Sequence, residues 1–126
     1  MFVPNTIDGI DELNKTIPEE LQYWHKFGHI IDLHYHHVFD YEYCDYISCI
    51  ELSLTDYKNS YIINLCLYNV SGTLCFNICN GFYSGLTIDD FSDMGYEKNC
   101  RFRLSSFEQD IDFTIYCEKI KVELQK

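Results

Sequence analysis

His34 and His36 are the pair best suited to metal chemistry in this sequence. On an extended strand, residues two apart share a face, and two imidazoles on one face can bind one zinc ion. A third ligand would have to come from Asp32 or from a neighbouring strand, because His29 and His37 have the opposite parity. The default alternative is a solvated or aromatic-packed histidine cluster. The seven cysteines, at 44, 49, 66, 75, 79, 100 and 117, are less suited. None has the two-residue separation of a zinc knuckle, and Cys75 and Cys79 on one strand would stand about 13 Å apart. Cys44 and Cys49 would point to opposite faces. An odd number of scattered cysteines alternating with Leu, Ile and Phe reads as reduced core thiols.

Nucleophilic and phosphate chemistry find less support. Tyr83-Ser84-Gly85 lacks the glycine two residues before serine that a nucleophile elbow needs, and the six glycines form no phosphate-cradling loop. The sequence therefore requires neither an enzyme nor a cofactor. Two clusters instead interleave carboxylates with aromatics: Asp40-Tyr41-Glu42-Tyr43 with Asp45 and Tyr46, and Asp89-Asp90-Phe91-Ser92-Asp93. Aromatic anchors with a one-sign charge field suit a basic protein partner, whereas the default reading is an acidic face that keeps a small domain soluble.

Charge narrows the partner class. Lys+Arg 9 against Asp+Glu 20 leaves a formal charge of −11, with only two arginines to neutralise phosphates, so neither nucleic acid nor an acidic membrane surface is expected. No apolar run approaches a membrane span, no signal-peptide pattern opens the chain, and the expected location is the cytoplasm.

The elements that must hold these residues fall into one domain, 1–126. Tyr 11, Phe 9 and Trp 1, together with the complete lack of alanine, favour strand over helix. Residues 1–28 have helical spacing: Ile7, Ile10 and Leu13 recur along one face. Thr16-Ile17-Pro18-Glu19-Glu20 starts a second helix expected to run to about Lys26 and stop at Gly28. From His29 the period becomes two. Strands are expected over 30–37, 44–54, 61–69, 73–79, 82–88, 100–105, 110–117 and 119–124. Turns fall at 55–60 and Asn80-Gly81, with a loop or single helical turn at 89–97. In the second of these strands Cys44, Tyr46, Ile50, Leu52 and Leu54 share a parity. Ile63, Leu65 and Leu67 point inward, as do Ile111, Phe113 and Ile115, then Ile120, Val122 and Leu124. The expected class is α+β, mainly β: an antiparallel meander of about seven strands, 29–126, after a short N-terminal helical segment and covered by that segment or a second sheet.

The order of these features resembles the immunity proteins encoded beside polymorphic or contact-dependent bacterial toxins. The resemblance covers roughly the last 85 residues. A segment containing Trp24 leads into a strand, then Gly72-Thr73-Leu74-Cys75-Phe76-Asn77-Ile78, a Gly-bearing strand with an acidic loop, and Asp112-Phe113-Thr114-Ile115-Tyr116-Cys117-Glu118-Lys119-Ile120-Lys121-Val122. One branch carries a His-Asp pair before its first long strand; here Val38-Phe39-Asp40 retains only Asp40. The resemblance implies a non-enzymatic protein that binds the C-terminal domain of a cognate toxin and blocks its active site or substrate surface. Many such toxins are nucleases with basic clefts; deaminases and ADP-ribosyltransferases also occur. Asp40, Tyr41, Glu42, Tyr43, Asp45, Asp89, Asp90, Phe91 and Asp93 are then the candidate contacts. The competing readings are a small metal-binding protein or metalloenzyme using His34 and His36, and a structural module that homodimerises through exposed aromatics.

Overall fold

A computed structural model of the protein describes residues 1–56, 58–71, 86–94, 100–108 and 111–125, with the side chains of 93, 107, 108 and 111–113 outside that description. The chain is α+β and mainly β, with one short helix and two antiparallel sheets among the described residues.

The helix α1 spans Ile10–Thr16, with Asp11 and Glu12 in its first turn and Lys15 in its last, charges that suit the helix dipole. Its Ile10 and Leu13 are buried, the helical spacing read from the sequence. The expected second helix is replaced by two 3-10 turns, Glu19–Leu21 and Trp24–Phe27. Tyr23 between them is extended, at φ −139 and ψ 134. Gln22 explains the break: its buried amide donates to the carbonyls of Asn14 at 2.8 Å and Ile17 at 2.7 Å, tying the chain back to the end of α1. Trp24 donates its indole N–H to the Val3 carbonyl at 2.7 Å while its ring lies against Phe2, centroids 4.6 Å apart. Gly28 caps the second turn, where the helical segment was expected to stop.

The first sheet joins β1 (His29–Asp40), β2 (Asp45–Thr55), β3 (Ile62–Tyr68) and β7 (Lys119–Leu124) in the order β1-β2-β3-β7. The second joins β4 (Leu86–Asp90), β5 (Phe102–Glu108) and β6 (Ile111–Cys117) in sequence order. The chain thus leaves the first sheet after Tyr68, builds the second, and returns to lay β7 antiparallel against β3. Inward residues alternate: Ile50, Leu52 and Leu54, then Ile63, Leu65 and Leu67, then Ile120 and Val122. They join Leu86, Ile88, Phe102, Leu104, Ile115 and Cys117 of the second sheet, with Leu13, Trp24 and Phe27, in one hydrophobic cluster. The N-terminal segment covers the outer edge of β7, where Asp8 bonds the backbone of Ile120 and Val122 at 3.1 and 2.8 Å.

Several boundaries differ from expectation. β1 runs three residues further than 30–37, ending at Asp40. Cys44 lies in the turn with φ 52 rather than on β2, and Tyr46, though on the parity of Ile50, is 67% exposed. The reason is geometric: β3 pairs with β2 only from Cys49 onward, so among the described residues Tyr46 has no third strand beside it. Asp89 and Asp90 end a strand instead of lying in a loop, and a 3-10 turn at Ser92–Met94 follows. The expected strand 73–79, its turn at Asn80-Gly81, the start of the 82–88 strand and the inward residues Ile111 and Phe113 lie outside the described residues or side chains. Among the described residues no helix is long and apolar enough to cross a membrane.

Candidate functional site

The β1–β2 hairpin sets the geometry of the first acidic–aromatic cluster. Asp40 pairs with Asp45 across a four-residue turn, 41–44. The Asp40 carboxylate accepts the backbone N–H of Glu42 at 2.8 Å and of Tyr43 at 3.0 Å, closing that turn. Its other oxygen accepts the Tyr68 hydroxyl. These bonds, the Tyr68 hydroxyl foremost and the Tyr43 amide next, hold the Asp40 carboxyl below the usual aspartate range. The same bond pushes the Tyr68 phenol up to about 12. Tyr43 donates to Glu118, which raises its own phenol to about 12, and the Asn69 amide meets the same Glu118 oxygen at 3.1 Å. Asp40 and Tyr43 therefore brace the hairpin against β3 and the β6–β7 corner.

Tyr41, Glu42 and Asp45 are exposed at the tip, Tyr41 to 86%. Phe39 stands between Tyr41 and Tyr46 in edge-to-face contact, centroids 5.1 and 5.3 Å away. Of the eleven exposed large hydrophobic side chains among the described residues, seven belong to this hairpin: Ile31, Tyr35, Val38, Phe39, Tyr41, Tyr43 and Tyr46. Residues 29–55 also carry five carboxylates and no lysine or arginine. Phe39 is not singled out by the sequence because alternation gives its parity but not that the β2–β3 pairing ends before its level among the described residues.

The second cluster is compensated within the chain. Asp89 pairs with Arg103 at 3.0 Å, and Asp90 with Arg101 at 3.5 Å and with the Thr6 hydroxyl at 2.5 Å. Burial would raise the Asp90 carboxyl, but the bonds from Thr6 and Ser92 and the charge of Arg101 outweigh it and hold it below the usual range. Phe91 lies under the Arg103 guanidinium at 4.9 Å. The Asp93 side chain lies outside the described ones.

His34 and His36 do share a face, with rings stacked 4.8 Å apart. The neighbouring strand supplies the third donor: Glu51 pairs with His34 across β1–β2, its carboxylate 3.6 Å from His34 Nδ1. Asp32 lines the open cleft beside them, about 630 Å³, but is not within the cluster. Of the thiols, Cys49 and Cys117 are buried, Cys66 and Cys100 partly so, and only Cys44 is exposed among the described residues. Burial pushes the thiols of Cys49, Cys66 and Cys117 up, the last to about 12, so they are poor nucleophiles. Cys75 and Cys79 lie outside the described residues.

The Asp40 network has a consequence in solution. A depressed folded-state pKa contributes stability that is fully present above the unfolded value, ordinarily 3.8, and is lost as pH falls through the lower folded value. In a carbon-detected NMR titration, Tyr68→Phe should move the Asp40 carboxyl midpoint upward toward the ordinary value. An unchanged midpoint would show that the turn amides alone depress it.

No family model matches this chain, and neither a curated protein nor a solved structure matches it.

Proposed function

We propose that this protein is an immunity protein that binds a cognate toxin domain and neutralises it by stoichiometric occlusion, with the β1–β2 hairpin tip as its contact surface. One observation carries the reading: a single projecting hairpin concentrates the exposed aromatics, and the same hairpin carries five carboxylates and no lysine or arginine. Aromatic side chains supply contact area at low entropic cost, and a uniform acidic field speeds encounter with a basic surface. Tyr41, Phe39 and Tyr46 act as anchors, while Glu42 and Asp45 steer. The partner this chemistry fits is a toxin with a basic substrate cleft, the charge that a nuclease uses to attract phosphates. Asp89, Asp90 and Phe91 have a smaller part, because Arg101 and Arg103 already balance them.

The test begins with capture from the source cells, using the untagged chain immobilised through an amine and washed at moderate salt. The expected result is one basic protein at a one-to-one ratio, whose expression alone arrests growth and whose arrest this chain relieves when co-expressed. Recovery of no basic partner, or only of a second copy of this chain, would overturn the proposal in favour of the dimerisation reading.

A further inference from the structure

We propose that His34, His36 and Glu51 form a binding site for one divalent transition-metal ion of the zinc class. The ligands would be two imidazole nitrogens and one carboxylate oxygen, with water completing the shell. The donor atoms of all three side chains lie within 4.8 Å of one another. Donors around a tetrahedral zinc ion with bonds of about 2.0–2.1 Å are separated by roughly 3.3 Å, so closure requires a contraction of about 1.5 Å at most. That movement is available through side-chain rotation: the His34 and Glu51 side chains are 64% and 55% exposed. The backbone beneath them is held in register by the β1–β2 ladder, in which His34 faces Glu51 and His36 faces Cys49.

Three features favour a metal over a plain ion pair. The Nδ1 atom of His36 is shielded from solvent and has no hydrogen-bond partner, so a ring placed there without a ligand carries an uncompensated desolvation cost. The two rings stack on each other, which keeps both imidazoles beside one carboxylate. The cleft alongside also contains Asp32 and Glu123, and residues 29–55 contain no lysine or arginine to occupy the site in place of a metal. Two nitrogens and one oxygen are a borderline donor set that selects zinc, cobalt, nickel or copper over calcium and magnesium. Three protein ligands leave a coordination position open, unlike the closed set of a structural zinc site. The site lies on the face of the hairpin opposite to Phe39 and Tyr46, so metal binding does not depend on the proposed partner.

The experiment uses untagged, chelator-stripped protein titrated with Zn²⁺ by calorimetry and with Co²⁺ by visible absorption. The expected result is one saturable site per chain, a Co²⁺ spectrum without a thiolate charge-transfer band, and a rise in Tm with added zinc. His36→Ala and Glu51→Gln should each weaken zinc at least about tenfold, while His25→Ala, on the distant N-terminal turn, should leave it unchanged. Circular dichroism of each variant establishes that the fold is retained. The proposal is overturned by the absence of saturable binding, by binding that survives His36→Ala and Glu51→Gln together, or by a thiolate band placing the ion on cysteine.

Discussion

Replacing Phe39, Tyr41 and Tyr46 together by serine should weaken binding of the basic partner about a hundredfold or more, while global stability changes by less than about 1 kcal/mol. The contrast follows from where these rings sit. Tyr41 and Tyr46 are 86% and 67% exposed and Phe39 40%, so they contribute little to the core and most to whatever covers the tip. Surface plasmon resonance with the captured partner reads the affinity, and urea unfolding reads the stability. Glu42→Lys with Asp45→Lys separates steering from anchoring: association should slow by about tenfold at low salt, with the difference shrinking as salt rises. Unchanged affinity in the serine variant would remove the hairpin tip from the interface, whatever the partner proves to be.

The candidate sites were partly legible because strand periodicity is local and register is not. His34 and His36 share a face by parity alone. Their third donor, Glu51, depends on how many residues turn the hairpin. A four-residue turn at 41–44 puts His34 opposite Glu51, whereas the sequence carries no Asn-Gly or Asp-Gly signal there. The turn is fixed instead by the Asp40 carboxylate and by Cys44 in the left-handed region, signals that are weak in isolation. The same limit hid the exposure of Tyr46, whose parity is that of the core.

The second acidic cluster shows the complementary limit. Asp89 and Asp90 read as free charge because their partners, Arg103 and Arg101, are more than ten residues away along the chain. The β4–β5 register brings Asp89 directly opposite Arg103. Two arginines are enough to neutralise one end of one sheet. Asp89 and Asp90 are thus paired within the chain, whereas Glu42 and Asp45 are exposed on the hairpin beside Tyr41 and Tyr46. At the N terminus, Gln22 overrode helical spacing by a side-chain bond to a preceding helix end, which periodicity cannot register.

Gly9→Ala should destabilise the protein by roughly 3 kcal/mol, lowering Tm by about 10 °C in a domain of this size. Gly9 adopts φ +89, and a β-carbon built there would lie 2.3 Å from the Val122 carbonyl oxygen. That oxygen belongs to the backbone of β7, which Asp8 bonds on its outer edge and β3 on its inner, so it has little freedom to move aside. Two costs therefore combine: a left-handed backbone that alanine disfavours, and a collision that a backbone shift must relieve. Gly9→Asn distinguishes them. Asparagine tolerates the left-handed region but also carries a β-carbon, so it should lose nearly as much stability as alanine if the collision dominates. The lost contact would loosen Asp8 from β7 and expose that sheet edge, whereas the hairpin at the opposite edge should retain its partner affinity in the folded fraction. Unfolding of Gly9→Ala within about 0.5 kcal/mol of the parent would instead show that the turn into α1 relaxes away from β7 at little cost.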